Sequence, residues 1–492
     1  MMQKPKAYTI FPFSFSRTSN NEYLLVNEVG EFLFLNDEEF HAFVNQRLDK
    51  KSNVFLDLKG KHFATDTDVA PIVDLLATKY RTKKAFLRNF TVLHMVVITA
   101  RCNHRCRYCH ASSESEDALG WDMALDVARK VVDTIFQSPS PTIKIEFQGG
   151  EPLLNWKAVR EIVLYSEKLN KKMKKSLEFV ICTNLTLVDR EKLAFIKEHG
   201  ILISTSLDGP RDLHDKNRVL RIGKSSYALF IDKLNLTRSV LGHENVSALM
   251  TTSVESLTRM RDVIDEYIRL GFNGMFLRAL NPFGYAKKDI TTYSCDDFIK
   301  AYKEALSYIL QVNQEGTYFE EYYTSLLLTR ILTPYCTGFM DLQSPSGAGI
   351  CGAIYDRNGD VYPSDEGRML AKMGDRRFKL GNVMRDSYLK IFGGDVLREL
   401  TKSSCVETMP GCVSCVYRSY CGADPVRNYV ESGHIIGNRP QSFFCSKNIA
   451  IFDYLFQLLR KNNENVINVF WSWITKKPLL DLKHVELPRE SS

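Results

Sequence analysis

Cys102-Asn-His-Arg-Cys106-Arg-Tyr-Cys109-His110 is the stretch on which the reading of this chain turns. It follows Leu93-His-Met-Val-Val-Ile-Thr99, an apolar run with the length of a buried strand. Three thiols spaced C-x3-C-x2-C therefore leave the end of that strand together. Thiolate ligands favour zinc or iron–sulfur clusters. A structural zinc site and an ordinary cubane each take four protein ligands, and the next cysteine is as far away as Cys182. His110 would close a zinc site only under strain, because it is adjacent to Cys109. Three thiolates on a four-iron cluster leave one iron open to a small molecule, and the ligand count favours that arrangement.

The rest of the composition fits such a site. A chain of 492 residues, 44% hydrophobic and 25% charged, is an ordinary globular protein of two to four domains. The net charge of +7 is spread along the chain. Its one block, Lys171-Lys172-Met-Lys174-Lys175, reads as a solvated helix end, so no nucleic-acid partner is expected. There is no run of 18 apolar residues and no charged-then-apolar signal pattern at the N-terminus. The expectation is a cytoplasmic protein with no membrane partner. In that compartment 12 cysteines point to metal and redox chemistry rather than disulfides.

Around the cysteine loop the chain divides into four stretches. Residues 1–88 read as a small N-terminal α+β domain with a connecting helix from Val69 to Arg88. Within it, Tyr23–Asn27 and Glu31–Leu35 form a hairpin, Asn36-Asp-Glu-Glu39 opens a helix, and Val54-Phe-Leu-Asp-Leu58 reads as a further strand. Residues 89–285 alternate strand and helix. The strands are Leu93–Thr99, Ile143–Phe147, Leu177–Thr183, Ile201–Ser206, Val246–Thr251 and Gly274–Leu280. That alternation argues a parallel sheet covered by helices. Residues 286–445 hold a helical linker and a second cysteine-rich region, and 446–492 a C-terminal helix with a polar tail from about 476.

Motifs fall at the C-terminal ends of these strands, where α/β barrels gather function. Gln148-Gly149-Gly150-Glu151-Pro152 follows the second strand; its glycines allow close backbone approach and Glu151 offers a carboxylate to an ammonium. Thr183-Asn184 ends the third strand, and Ser204-Thr-Ser206-Leu-Asp208-Gly-Pro210 ends the fourth, followed by His214 and Arg218. His214 reads as a surface or capping residue, Cys182 as a buried filler of its strand, and Cys295 as an isolated thiol. In the second cysteine-rich region Cys412, Cys415, Cys421 and Cys445 supply four thiolates, enough for a cluster or for structural zinc. Cys336, Cys351 and Cys405 are left over.

The cysteine loop, with Tyr108 before its third thiol, resembles the signature of the radical S-adenosylmethionine (SAM) superfamily. The resemblance implies a partial (β/α)6 barrel, a SAM-binding [4Fe-4S] cluster on Cys102, Cys106 and Cys109, and SAM contacts from Tyr108, Gly149, Gly150, Glu151, Asn184, Ser206 and Arg218. Arg218 would meet the methionyl carboxylate, with a structural salt bridge to Asp208 or Asp215 as the alternative. The hairpin-then-helix start resembles small leader-peptide recognition domains. The cysteine-rich region is similar to the SPASM-type iron–sulfur extension of peptide maturases, with one departure: serine stands at Ser346 and Ser364, and proline at Pro425, where cysteines are usual. That departure leaves one auxiliary [4Fe-4S] cluster, on Cys412, Cys415, Cys421 and Cys445, to accept an electron or hold substrate. Asp365 stands where related sulfatase maturases place a proton-accepting aspartate, but its neighbour is Ser364 rather than a cysteine, and a surface carboxylate is the alternative.

At a finer level, Ser138–Leu154, Ser204–Pro210, Ser419–Pro425 and Leu24–Gly30 resemble the His-Xaa-Ser system radical SAM maturases. The implied substrate is a ribosomally made peptide with His-Xaa-Ser repeats, modified beside a partner radical SAM maturase, with flavodoxin or ferredoxin as reductant. The alternatives are a sulfatase-type maturase oxidising Ser or Cys, and a non-catalytic iron–sulfur or zinc scaffold.

Overall fold

The computed structural model describes residues 8–223, 225–281, 283 and 293–479. The start of the expected linker, up to residue 292, and the tail from residue 480 lie outside the described residues. Two compact units result. One contains Met1–Leu87, Leu326–Gly347 and Thr401–Asn463; the other contains Arg88–Ser325, Ala348–Leu400 and Glu464–Ser492.

The first unit begins with an antiparallel sheet of Phe13–Arg17, Tyr23–Asn27 and Phe32–Leu35. The acidic start read in the sequence is a capping box: Asn36 Oδ1 accepts the Glu39 N–H, and the Glu39 carboxylate accepts the Asn36 N–H, both at 2.9 Å. The expected strand Val54–Leu58 is instead the helix Asn53–Gly60, capped by Ser52. The correction has a simple cause. Phe55 and Leu58 are fully buried while Leu56 is 52% exposed. That spacing of three is helical, and a five-residue stretch with four apolar side chains is too short to reveal it. Those two side chains complete a core with Leu25, Leu35, Phe40, Phe43 and Phe63.

In the second unit the strands Val246–Leu249, Leu202–Ser206, Ser176–Cys182, Thr142–Gly149 and Leu93–Thr99 lie side by side and parallel, in that order. Their inward residues Val96, Ile98, Ile143, Ile145, Phe147, Ile181 and Ile203 are at most 1% exposed, as expected of a sheet covered on both faces. Residues 348–400, assigned from sequence to the C-terminal extension, belong to this unit and add strands to its sheet. Gly352–Tyr355 pairs in parallel with Leu93–Thr99, and Asp360–Tyr362 and Gly381–Asn382 continue antiparallel. The expected sixth strand shortens to Gly274–Met275 and pairs with Glu320–Glu321. The single helix expected from Ser446 to Trp473 is two, Phe443–Lys461 and Glu464–Thr475, divided where Asn462 turns left-handed at φ 48°.

Candidate active site

Leu93–Thr99 delivers the cysteine loop to the C-terminal edge of the sheet. Arg101–Cys102 pairs with Glu114–Ser115, and His104–Cys106 pairs antiparallel with Arg218–Leu220. The glycines after the second strand lock this loop from beneath. A Cβ on Gly149 would lie 2.4 Å from the Thr99 carbonyl oxygen, and one on Gly150 2.1 Å from that of Arg101. Across these contacts the Gly150 N–H donates to Thr99 at 2.8 Å and the Glu151 N–H to Arg101 at 2.7 Å. Backbone on backbone is why both positions lack a side chain.

Glu151, expected from the sequence to offer its carboxylate to an ammonium, is bonded within the protein. It is fully buried, and its carboxylate accepts from Thr183 Oγ1 at 2.7 Å and from the N–H groups of Asn184 at 2.8 Å and Leu153 at 3.1 Å. Burial pushes its pKa up to about 7. A carboxylate that accepts from three donors ties the second and third strand ends together. Asn184 is thereby placed beside the loop: its Nδ2 donates to Asn103 Oδ1 at 2.8 Å and lies 3.9 Å from Cys102 Sγ. Ser206 sits half-buried at the end of its strand.

Arg218 takes the structural partner weighed above. Its Nε donates to Asp208 Oδ1 at 3.1 Å, and Asp208 is fully buried. Tyr108 donates its hydroxyl to the other Asp208 oxygen, and the Arg218 guanidinium stands 5.5 Å from the Tyr108 ring centroid. Burial is the largest single influence and opposes the Arg218 charge, but Asp208, Tyr108 and Cys106 together prevail and the pKa is raised. His214, expected at the surface, is 1% exposed; its Nδ1 faces the Asp208 N–H at 3.4 Å and its ring packs against Tyr227 and Phe230. Burial brings its pKa down to about 4.

Among the thiols of the loop, Cys102 is 7% exposed while Cys106 and Cys109 are half-buried. Burial pushes Cys102 up, and neighbouring Cys106, Glu151 and Cys109 add to the effect; Cys106 rises to about 12, again mainly by burial. The three groups therefore share one electrostatic environment. Among the described residues no three His, Cys, Asp or Glu groups are drawn together tightly enough for a single metal ion, and this includes His110. Both ring nitrogens of His104, 2% exposed, lack a partner among the described residues. Three soft donors on one loop, beside a buried histidine whose ring nitrogens are unbonded among the described residues, fit a multi-iron cluster held by three thiolates.

Asp365 opens the helix Asp365–Lys372, whose N-cap is Ser364. Nε and Nη2 of Arg368 each lie 3.1 Å from Asp365 Oδ1. Burial holds the carboxyl above its usual range against that pull. Arg368 also feels the charge of Cys109, so the pair belongs to the neighbourhood of the loop. Next to it Glu366 accepts from Asn281 at 3.0 Å.

The second thiol set lies wholly in the first unit. Cys412 and Cys415 sit on consecutive tight turns, their N–H groups donating to the Met409 carbonyl at 3.1 Å and the Cys412 carbonyl at 3.0 Å. Cys445 is in the first turn of the helix Phe443–Lys461. Its thiol is raised to about 12, first by burial and then by Cys421, Cys412 and Cys415. Asn448 Nδ2 donates to Cys421 Sγ at 3.5 Å. Pro425 begins the helix Pro425–Ser432, and the Ser346 N–H donates to Ser404 Oγ at 3.0 Å, so the positions that depart from the cysteine pattern have local bonding or helix-start roles. Cys336 Sγ accepts from Gln343 Nε2 at 3.0 Å, and Cys405 lies 3.5 Å from the Thr401 carbonyl. Cys351 is buried, and Cys182 and Cys295 are half-buried. Sequence reasoning missed Arg221, whose partners Cys102 and Ser113 lie far away along the chain.

Residues 96–266 match the sequence profile of the Radical SAM superfamily. The chain thus carries a radical SAM domain in a radical SAM α/β fold, and the domain implies SAM and a [4Fe-4S] cluster. The cysteine-type anaerobic sulfatase-maturating enzyme of Clostridium perfringens strain 13 is 24% identical over 377 residues, 74% of this chain and 96% of that one. The antilisterial bacteriocin subtilosin biosynthesis protein AlbA of Bacillus subtilis strain 168 is 24% identical over 332 residues, 66% of this chain and 65% of that one. Among solved structures, native anSMEcpe with bound AdoMet superposes with a TM-score of 0.64 at 19% identity, covering 77% of this chain and 99% of the other. Streptococcus suis SuiB bound to its precursor peptide SuiA gives 0.53 at 13% identity, covering 89% and 99%.

Proposed function

We propose that this chain is a radical SAM maturase that modifies a ribosomally made peptide of the His-Xaa-Ser repeat type. The observation that carries the reading is the three-thiol loop at the C-terminal edge of a parallel sheet, in a chain that also gathers four thiols at Cys412, Cys415, Cys421 and Cys445. With SAM and a four-iron cluster bound, the site supplies a 5′-deoxyadenosyl radical that takes a hydrogen atom from the peptide. Cys102, Cys106 and Cys109 hold the cluster, leaving one iron free. Tyr108, Gly149, Gly150, Glu151, Asn184, Ser206 and Arg218 border the SAM pocket: the glycines by main-chain groups, Glu151 by its carboxylate, Asn184 by its amide, and Arg218 by the face not given to Asp208. Asp365, kept in place by Arg368, takes up a proton from the oxidised substrate.

The four thiols of the first unit carry one auxiliary [4Fe-4S] cluster. A partner radical SAM maturase and a flavodoxin- or ferredoxin-type reductant complete the system. Support for a peptide substrate comes from AlbA, a bacteriocin biosynthesis protein, and from the fold shared with SuiB. The second reading, a sulfatase-type maturase, is favoured by the 96% coverage of the Clostridium relative. The deciding experiment reconstitutes the protein anaerobically with iron, sulfide, SAM and reductant. It then offers a His-Xaa-Ser repeat peptide or a sulfatase peptide bearing Ser or Cys. 5′-Deoxyadenosine formed together with a mass change in the repeat peptide alone supports the proposal; a mass change in the sulfatase peptide alone overturns it.

A further inference from the structure

Arg218–Leu220 returns from the helix Arg211–Asn217 to run antiparallel along His104–Cys106 and so covers the cysteine loop. Backbone bonds extend this pairing at both ends. The Arg107 N–H donates to the Asn217 carbonyl and the Arg221 N–H to the Asn103 carbonyl, both at 2.9 Å. The Arg221 side chain adds a contact the strand cannot make. Its Nε donates to the Cys102 carbonyl at 3.0 Å and its Nη2 to the Ser113 carbonyl at 3.2 Å. Cys102 carries the first thiol, and Ser113 lies beyond the last, with its Oγ 3.8 Å from Cys109 Sγ. One planar guanidinium therefore joins the two ends of the loop that holds all three thiols.

We propose that Arg221 is a positioning residue for the three-thiol site, clamping residues 102–113 so that the thiols keep the spacing a shared cluster needs. The inference rests on the assignment of Cys102, Cys106 and Cys109 as ligands. Arg218 does not duplicate the clamp, because it points to buried Asp208. Lysine does not reproduce it, since a compact ammonium lacks the rigid fork that spans two carbonyls. Arg105 is the natural control. It is exposed, on the strand face opposite His104 and Cys106, and removing it changes the local charge without touching the bridge.

The test compares Arg221→Met, Arg221→Lys and Arg105→Met. In the apo protein the alkylation rate of Cys102 is followed by mass spectrometry. In the reconstituted protein, the SAM-induced change in the reduced-cluster EPR signal and its decay under a chelator are measured. Charge-assisted hydrogen bonds of this kind make the expected rise in alkylation and in chelator-driven decay about tenfold for Arg221→Met. The lysine variant falls between, and Arg105→Met behaves as wild type. Wild-type rates in Arg221→Met, or an equal effect of Arg105→Met, overturn the clamp. Should the methionine variant not fold, an Arg221→Lys protein with wild-type rates overturns it as well. A Cys102/Cys106/Cys109→Ala protein that keeps the SAM-responsive cluster would instead refute the ligand assignment, while the apo alkylation rates still judge the clamp.

Discussion

The two thiol sets solve one problem, holding soft donors at fixed spacing, by different means. The three-thiol loop is irregular chain made rigid from outside: a returning strand above it, two glycines beneath it, and Arg221 across its ends. The four-thiol set is made rigid largely from within, by consecutive tight turns at Cys412 and Cys415 and by a helix start at Cys445. The difference follows from ligand count. In the proposed assignment, four thiolates would close their own site, whereas three would leave a position open and need to be held by their surroundings.

The largest expected effect separates the two sets outright. Replacing Cys102, Cys106 and Cys109 by Ala abolishes 5′-deoxyadenosine formation and removes about four irons of roughly eight, counting one four-iron cluster per set. Replacing Cys412, Cys415, Cys421 and Cys445 removes a similar amount but leaves SAM cleavage in place. Iron analysis with a 5′-deoxyadenosine assay checks both, and equal loss of cleavage in the two variants would end the distinction.

Next in size is Arg218→Ala, which strands fully buried Asp208 without its cation. Breaking a buried pair from one side costs about 3–5 kcal/mol. Calorimetry should show that loss, and Asp208→Asn in the same chain should restore most of it. SAM affinity on the same protein, expected to fall roughly tenfold to a hundredfold for a lost charge-assisted contact, tests the second role proposed for the residue.

The glycine lock comes third. Gly150→Ala places a methyl 2.1 Å from the Arg101 carbonyl oxygen. Overpacking of that kind costs about 1–3 kcal/mol and should lower cluster loading on the three-thiol loop. Gly422→Ala, 2.4 Å from the Asp341 carbonyl oxygen, should affect the four-thiol set instead. Iron quantitation on each variant, with the other set replaced by Ala, shows whether each lock serves its own site.

The smallest effect concerns acid. His94 is fully buried, between the Tyr355 hydroxyl at 3.0 Å and the Thr91 carbonyl at 3.2 Å, and burial lowers its pKa from 6.5 to about 3. A histidine depressed in the folded state binds its proton more readily unfolded. Its contribution is therefore complete above pH 6.5 and is lost as pH falls from there toward about 3. Between pH 7.5 and 5 this amounts to about 2 kcal/mol. His94→Asn should flatten the fall in melting temperature over that window; an unchanged slope would remove His94 from the account.

Short-range patterns carried much of this protein in the sequence. The strand-and-helix alternation, the capping box at Asn36, the position of the thiol loop at a strand end and the missing fourth ligand are all set by periodicity and spacing within a few residues. The Val54–Leu58 segment shows where such patterns stop, because a five-residue stretch with four apolar side chains satisfies strand and helix alike until Ser52 caps the helix and Phe55 and Leu58 find a core. Tertiary structure alone decided what Glu151, Arg218 and Arg221 do. Each is an ionisable side chain beside a ligand motif, and a motif cannot say which way a charge turns. Thr183, Asp208 and the Cys102 carbonyl decide it, each within 3.1 Å of its partner: Thr183 and Cys102 from segments remote in the chain, Asp208 from across the short helix Arg211–Asn217. A buried charge goes to the partner that compensates its lost hydration, and that partner is chosen by the fold.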